Sequence, residues 1–262
     1  MKSLFFILLF SLLQYSSDDD SLLVQRIADK IIESHTKGFR SARTDATYVS
    51  ADEIPVGEDI RVKSDYANWH YSTGIINSAL LEYTSLSGDE KYADYVKMHA
   101  DYCIDNYQKI PPMISPTGDW HPFYGLRRFD ELDFVGTQFG SLIEWQCWAN
   151  SKEYEELIRR AAEHIRHGQL RLDDGTLVRT WSRNPTLWAD DLYMGLAFMT
   201  RYAQVYGDRQ MLDDAIRQVD KFNEYLWEPE TSLYWHAWYG ETTSVAGAHW
   251  GRCNGWILKA TV

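Results

Sequence analysis

The sequence predicts an all-α protein in which helical hairpins form a toroid, and a repeated pattern is the main reason. Three segments share a Gly-Asp or Asn-Ser break, an aromatic residue or Met, and then a charged amphipathic helix. They read "SLSGDEKYADYVKMHADYCI", "CWANSKEYEELIRRAAEHI" and "QVYGDRQMLDDAIRQVDKF". The anchors Tyr92, Tyr154 and Met211 recur at intervals of 62 and 57 residues, which suits one helical hairpin plus a long loop.

A less polar helix precedes each charged one, which is the second observation. These segments read "WHYSTGIINSALLEYTSL", "FVGTQFGSLIEWQCW" and "LWADDLYMGLAFMTRYAQVY". Because they are apolar all round, we expect them to form an inner layer, with the charged helices outside. A fourth inner helix begins in "HWGRCNGWILKA", and "SLLVQRIADKIIESHT" is an opening outer helix. Strand-like alternation is scarce apart from short stretches such as "LYWHAW", which is the third observation.

The pattern assigns residues 18–262 to one toroid domain and residues 1–17 to a signal peptide. One Lys followed by the apolar stretch from Leu4 to Leu13 is typical of such a peptide, and the stretch is too short to span a bilayer. We therefore expect a secreted or periplasmic protein without a membrane span. About eight helices are recognisable where a closed ring of six hairpins needs roughly twelve, so we expect the ring to be truncated at the C-terminus.

Composition excludes several functions. The net charge is −12 and the chain has no basic run, which argues against nucleic-acid binding. Sequence signatures of zinc proteases, phosphate-binding loops and serine hydrolases are absent, so we expect neither a metal nor a cofactor. The three cysteines are far apart and lack metal-ligand spacing; we expect free thiols, with Cys103 and Cys147 packed as small apolar residues.

Polar residues stand where each inner helix begins. A toroid would bring these starts together at one end of the ring, which we call the mouth. The residues are Asn68 and His70 on the first inner helix, Asp133 on the second, Asp190 and Asp191 on the third, and Arg252 and Asn254 on the fourth. His236, in the loop before the fourth helix, could reach the same place.

Several ordered motifs resemble one family. "NWHYSTGIINSALLEYTSLSGDEKY", "TLWADDLYMGLAFMTRYAQVYGD", "YLWEPETSLYWHAW" and "HWGRCNGW" are similar to motifs of the unsaturated uronyl hydrolases, glycoside hydrolase families 105 and 88, over about residues 65 to 258. The resemblance implies an (α/α)6 barrel that needs no metal. It also implies oligosaccharide substrates left by polysaccharide lyases, from whose non-reducing end the 4,5-unsaturated uronic acid is removed.

The resemblance also implies a mechanism. A carboxyl group protonates C4 of the vinyl ether and helps water add at C5, and the hemiketal then collapses to release the next sugar. Asp190 holds the catalytic position of the motif, whereas Asp191 falls where a Thr or Cys is common. We expect Asp191 to accept hydrogen bonds from a neighbouring helix or to pair with an Arg. Judged without the repeat and the family, Asp190 would be read as a capping or ion-paired carboxylate.

The predicted binding residues follow from the same motifs. Arg252 suits the uronate carboxylate because a guanidinium fork matches that group, with Arg179, Arg183 or His236 as the fallback. Trp256 could stack on the sugar or pack in the core, and His236 could lie near the uronate or be structural.

Three further positions complete the predicted site. Asp133 is either a second carboxylate that holds substrate or water, or a helix N-cap. Trp188 and His70 are the remaining predicted substrate-binding residues. Cys253 stands where the family commonly has Gly, and Phe134 where it has a second acid; we expect these departures to affect affinity and the exact substrate.

Two other functions fit parts of the pattern. A non-catalytic sugar-binding toroid or inactive fragment would use the aromatics and Arg252 while Asp190 is only structural. A sugar epimerase would need paired catalytic histidines, for which His70 and His236 are available, although the surrounding motifs do not match. The sequence leaves open whether the uronyl group is glucuronyl or galacturonyl, which sugar follows it, and the oligomeric state.

Overall fold

The computed structural model describes residues 18–110, 122–127, 129, 131–181 and 184–262. The predicted signal peptide, residues 1–17, lies outside the described residues, as does Arg183. The helices are α1 (Asp18–Ser34), α2 (Tyr71–Ser87), α3 (Lys91–Lys109), the single turn α4 (Tyr124–Arg127), α5 (Leu132–Ala149), α6 (Glu155–Glu163), α7 (Ala189–Tyr206), α8 (Arg209–Leu226) and α9 (Gly251–Thr261).

Inner and outer helices alternate as the sequence predicts. Helices α2, α5, α7 and α9 pack side by side in that order, and α3, α6 and α8 lie against them as an outer layer, with α1 packed on α3. The inner helices α5 and α7 are buried over most of their length, which explains why their sequences are apolar on all sides. The chain is therefore mostly helical, as predicted.

The three breaks in the repeat are helix C-caps. Gly88 (φ 73°), Asn150 (φ 47°) and Gly207 (φ 70°) follow α2, α5 and α7 in the left-handed conformation, which Gly and Asn adopt most readily. The anchors Tyr92, Tyr154 and Met211, at the start of the outer helices, are at most 4% exposed. Each hairpin is thus closed by a left-handed cap and one buried anchor.

Glycines on α5 let the inner helices approach closely. A Cβ on Gly136 would overlap the Met194 carbonyl oxygen of α7, and one on Gly140 would lie 2.8 Å from the Ala197 carbonyl oxygen. Since backbone cannot yield as a flexible side chain can, the spacing between α5 and α7 depends on these two glycines.

We expect Gly136→Ala to lower the free energy of unfolding by about 3 kcal/mol, because the added methyl group forces α5 and α7 apart. Gly255→Ala on α9 is the matched control: a Cβ there meets nothing within 4 Å, so this change should leave stability unchanged or raise it by up to about 1 kcal/mol. Urea unfolding of both variants measures the difference. Equal stability of the two would mean that α5 and α7 do not pack through Gly136.

Short strands lie in the loops between helices, and the sequence did not predict most of them. Across the described ranges they form three antiparallel sheets: β2–β1–β3 (Thr47–Tyr48, Phe39–Ser41, Ile60–Val62), β4–β5–β8–β9 (Arg179–Trp181, Asn184–Trp188, Ala237–Tyr239, Ser244–Val245) and β6–β7 (Trp227–Glu228, Leu233–Tyr234). Strands of two to five residues are too short for alternation to show. The stretch "LYWHAW" supplies β7 and the start of β8, and Trp188 of β5 pairs with Ala237.

The cysteines agree with the sequence-based expectation only in part. Cys103 and Cys253 are buried free thiols, but Cys147 is exposed near the end of α5, so the prediction of a packing role for Cys147 was wrong. Among the described helices, none is long and apolar enough to cross a membrane. In the described part of the chain, no group of three or more His, Cys, Asp and Glu side chains is placed to hold a metal ion.

A buried histidine fastens the loop that leads into α2. His99 of α3 is 0% exposed; its Nε2–H donates to the Asn68 carbonyl at 2.9 Å, and its Nδ1 accepts from the Asn77 amide at 3.0 Å. Burial lowers the pKa of His99 to about 4, and the ring of His35 lies 6.1 Å away. His99 is therefore neutral in the folded protein at neutral pH.

This histidine predicts acid sensitivity. Between pH 6.5 and about 4 the unfolded chain protonates His99 while the folded chain does not, so the free energy of unfolding should fall as pH falls, by up to about 1.4 kcal/mol per pH unit. His99→Gln removes this one protonation, so the free energy of unfolding should depend less steeply on pH, by up to about 1.4 kcal/mol per pH unit. Urea unfolding between pH 7 and 4.5 measures it, and an identical slope in both proteins would contradict the assignment.

Candidate active site

The inner-helix starts meet at one end of the ring. The His70 ring, before α2, lies 6.4 Å from the Phe134 ring on α5. Asp133 on α5 and Asp191 on α7 both contact the Arg179 guanidinium, and Asp190 contacts Arg252 on α9. The mouth therefore brings together one side chain or more from each of four helices.

Asp190 is buried in the first turn of α7, with a side chain 11% exposed. Its Oδ1 accepts from the Arg252 Nε–H at 3.3 Å, and its Oδ2 lies 3.5 Å from His236 Nε2. Within the described parts of the chain neither Oδ2 nor that Nε2 has a hydrogen-bond partner, although both are buried. A buried carboxyl group with one oxygen still able to bond is suited to proton exchange with a bound molecule.

His236 is held by its backbone and by stacking. Its carbonyl accepts from the Ala189 N–H at 2.9 Å, at the first residue of α7, and its own N–H donates to the Ala248 carbonyl at 3.1 Å. The ring stacks on Trp250 with 3.9 Å between centroids and a 10° interplanar angle. Burial lowers the pKa of His236, while the negative charge of Asp190 opposes the shift. The ring is therefore neutral at neutral pH and can donate or accept a hydrogen bond.

Arg252 is the accessible cation of the mouth. Its side chain is 53% exposed, and its guanidinium lies 5.2 Å from the centroid of the Trp250 ring. Its Nε–H donates to Asp190 Oδ1, and within the described residues this is the one hydrogen bond of the guanidinium, so the two terminal nitrogens can still bind a ligand. Trp250 itself is 45% exposed. Sequence reasoning missed Trp250, although it stands two residues before Arg252 in the "WGR" motif.

Asp191 has a different environment from its neighbour. It is 1% exposed, and both of its oxygens bind one arginine: the Arg179 Nε–H donates to Oδ2 at 2.9 Å and Nη2 donates to Oδ1. Burial raises the pKa of Asp191, and the Arg179 fork opposes that shift. The expectation that Asp191 pairs with an Arg agrees with this geometry.

Asp133 contacts the same arginine, at the same Nη2 that donates to Asp191. Its Oδ2 is 3.3 Å from Arg179 Nη2, and its side chain is 18% exposed. Burial raises the pKa of Asp133, Arg179 lowers it, and the nearby charge of Asp190 raises it further. The N-cap of α5 is Glu131, so the alternative reading of Asp133 as the helix N-cap was wrong.

Two predicted binding residues occupy less direct positions. His70 is the N-cap of α2; its Nδ1 lies 3.1 Å from the Ser72 hydroxyl, and burial lowers its pKa. Trp256 is half-buried and stacks on Tyr193 of α7, with 5.0 Å between centroids and a 12° angle. The core-packing alternative for Trp256 thus describes one face of its ring.

Trp188 lies in the mouth, whereas Asn254 binds a neighbouring strand. The Trp188 ring lies between the Arg179 guanidinium, 4.7 Å away, and the His236 ring, 5.1 Å away. The Asn254 side chain accepts a hydrogen bond from the Tyr234 N–H at 2.9 Å and donates one to the Tyr234 carbonyl at 3.0 Å. Asn254 therefore fastens β7 to α9.

At one end of the alternating helices, the mouth thus combines a buried carboxyl group with a cation, an imidazole and aromatic rings. The chain belongs to Glycosyl Hydrolase Family 88, whose model matches residues 45–262.

A curated relative agrees with this family, and solved structures share the fold. The chain is 33% identical over 199 residues to the unsaturated rhamnogalacturonyl hydrolase YesR of Bacillus subtilis, covering 73% of this chain and 52% of YesR. A possible GH105 member from Klebsiella pneumoniae superposes with a TM-score of 0.68 at 14% identity, covering 94% of this chain and 60% of that one. The unsaturated glucuronyl hydrolase of Bacillus sp. GL1, responsible for the degradation of glycosaminoglycan, gives 0.57 at 13% identity, covering 91% and 58%.

The solved structures, all distant in sequence, support the fold alone. This chain spans about half the length of YesR and about three-fifths of the structural neighbours.

Proposed function

We propose that this protein releases the 4,5-unsaturated uronic acid from the non-reducing end of oligosaccharides made by polysaccharide lyases, with Asp190 as the catalytic acid and base. Family membership supports the substrate class. The observation that carries the proposal is the setting of Asp190: a buried carboxyl group with Arg252 on one oxygen and the neutral His236 beside the other.

The reaction begins at the double bond. Protonated Asp190 gives its proton to C4, the electrons of the C4=C5 bond form the new C–H bond, and the ring oxygen stabilises the positive charge that develops at C5. Water adds at C5 and passes a proton to the Asp190 carboxylate, which restores the catalyst. The C5 hemiketal opens to a ketone, and the hemiacetal left at C1 breaks down to release the neighbouring sugar.

The remaining mouth residues have separate tasks. Arg252 binds the uronate carboxylate through its exposed terminal nitrogens. His236, neutral beside Asp190, accepts a hydrogen bond from the incoming water or the sugar. Asp133 is a second carboxylate that orients the water, and Trp188, Trp250 and His70 enclose the sugar.

Similarity to YesR favours one first substrate. Because YesR is an unsaturated rhamnogalacturonyl hydrolase, we propose that an unsaturated galacturonyl group linked to rhamnose is the preferred substrate of this protein. Unsaturated glucuronyl disaccharides from glycosaminoglycans are the natural comparison.

The experiment follows the ultraviolet absorbance of the unsaturated uronyl group, which hydration of the conjugated double bond abolishes. The protein is mixed with a panel of lyase products, and the released sugar is quantified in parallel. We expect absorbance loss and sugar release in equal amounts, fastest with the galacturonyl-rhamnose product. If no product of the panel loses absorbance while the protein binds them, the protein is a sugar-binding toroid and the proposal fails.

A further inference from the structure

A buried arginine joins the acidic side chains of the mouth. Arg179, on β4, is 8% exposed and uses all three guanidinium nitrogens. Its Nε and Nη2 bind the two oxygens of Asp191, Nη2 also lies 3.3 Å from Asp133, and Nη1 lies 3.5 Å from Glu131. Its Cζ lies over the Trp188 ring, 4.7 Å from the centroid. One guanidinium thus links the start of α5 to the start of α7.

Arg179 also separates two adjacent carboxylates. Residues next to each other on a helix point about 100° apart, so Asp190 and Asp191 face different partners. Both oxygens of Asp191 are bound by Arg179, whereas Asp190 faces Arg252 and His236. Arg179 therefore occupies one carboxylate completely and leaves the other for chemistry.

The charges show what Arg179 prevents. Four carboxyl groups, Glu131, Asp133, Asp190 and Asp191, lie around two guanidinium groups, Arg179 and Arg252. Without Arg179, the buried Asp133 and Asp191 would lose their ion-pair partner, and Arg252 is the nearest cation that the contacts above connect to this cluster. A buried charge without a partner is costly, so these groups would draw Arg252 inwards or take up protons.

We propose that Arg179 is a positioning residue of the active site, which holds the Asp133 carboxylate beside Asp190 and keeps Asp191 from competing with the substrate for Arg252. This inference rests on the proposed function. Arg179 does not itself bind the uronate, because Asp191, Asp133 and Glu131 already occupy its nitrogens.

Asp133 provides the measurable consequence. Arg179 lowers the pKa of Asp133 against the effect of burial, so removal of Arg179 should move its titration to higher pH. Besides Asp133, the charged and titratable groups of the mouth, from all the elements that meet there, are Glu131, Arg179, Asp190, Asp191, His236 and Arg252. Only Arg179 and Arg252 among these favour the ionised form.

The test uses a double variant, Arg179→Met with Asp191→Leu, which removes both partners of the ion pair. Apolar replacement of a whole buried ion pair is often neutral for stability. If Arg179 only stabilised the fold, the double variant should therefore behave like the wild type. If Arg179 positions Asp133, activity should change, because Asp133 still lacks its cation. We expect near-normal thermal stability, a kcat at least about tenfold lower, and an acid limb of the pH profile shifted up by about one pH unit.

Controls separate the possible outcomes. Arg171 and Asp214 form a similar two-point ion pair away from the mouth, with contacts of 2.7 and 3.2 Å, so Arg171→Met with Asp214→Leu should leave the pH profile unchanged. The carbon-13 carboxyl signal of Asp133 is followed in each protein, which reports its titration without turnover. If the double variant fails to fold, Arg179→Lys is tested in its place. Because lysine keeps the charge but loses the planar fork, the acid limb of the pH profile should stay at the wild-type pH while kcat falls.

An unchanged Asp133 titration with wild-type turnover in the double variant would overturn the inference, as would wild-type behaviour of Arg179→Lys in every readout. If the wild-type protein turns over no unsaturated uronide, the proposed function fails, and the Asp133 titration still decides the inference.

Discussion

Asp190→Asn is expected to lower kcat by about 100- to 10,000-fold, while the fold and substrate binding persist. The amide has nearly the shape of the carboxyl group but cannot give a proton to C4 and take one back from water. Absorbance assays measure turnover, and calorimetric titration measures binding. A variant that keeps more than a few per cent of the wild-type kcat would remove Asp190 from the mechanism.

The neighbouring residue is the matched comparison. Asp191→Asn removes the carboxylate that binds the buried Arg179 at two points and leaves only the longer contacts to Asp133 and Glu131. We therefore expect a loss of up to about 3–5 kcal/mol in the free energy of unfolding, whereas Asp190→Asn should cost much less. Asp213→Asn, in an exposed ion pair with Arg209 on α8, should change neither property. If the first two variants exchanged effects, the catalytic position would be residue 191.

Arg252→Ala is expected to have the second largest effect, a loss of kcat/KM of about 10- to 100-fold, since a hydrogen bond between charged groups contributes about 1.5–3 kcal/mol. In an acidic protein of charge −12, the anionic uronide depends on a local cation. Arg252→Lys keeps the charge but loses the planar fork, so its kcat/KM should lie between those of wild type and Arg252→Ala.

Salt dependence and an outer arginine complete the Arg252 experiment. If Arg252 makes the main ionic contact, added salt should weaken substrate binding to the wild type more than to Arg252→Ala. Arg209→Ala removes an equally charged but exposed side chain, 77% accessible on the outer helix α8, and should leave kcat/KM unchanged. Equal kcat/KM in the wild type and both Arg252 variants would place the uronate elsewhere in the mouth.

The repeat made the fold predictable. Gly88, Asn150 and Gly207 mark helix ends because few other residues accept the left-handed cap, and the apolar inner helices are distinct in composition from the charged outer ones. The small sheets were not predictable in the same way. Their strands are too short to carry a periodic signal and depend on pairings between distant parts of the chain, such as Leu187 with Trp238.

The site was predictable only as far as the helix starts. Asp133, Asp190 and Arg252 fall at equivalent places of the repeat, and the structure brings them to one mouth. The binding of Asp191 by Arg179 could not be foreseen, because β4 was not recognised and nothing local distinguishes Arg179 from other arginines. Trp256 shows a different limit: its helical spacing fits both the pocket and the core, and only the Tyr193 stack shows where one face lies.

We propose that the double bond, not the glycosidic bond, is the point of attack. The most direct test compares two disaccharides that share one glycosidic linkage, an unsaturated galacturonyl-rhamnose and its saturated counterpart, with rhamnose release as the measurement. Protonation at C4 requires the C4=C5 bond, so the unsaturated compound should be cleaved and the saturated one should remain intact. Cleavage of both at similar rates would identify an ordinary glycosidase and contradict the mechanism assigned to Asp190.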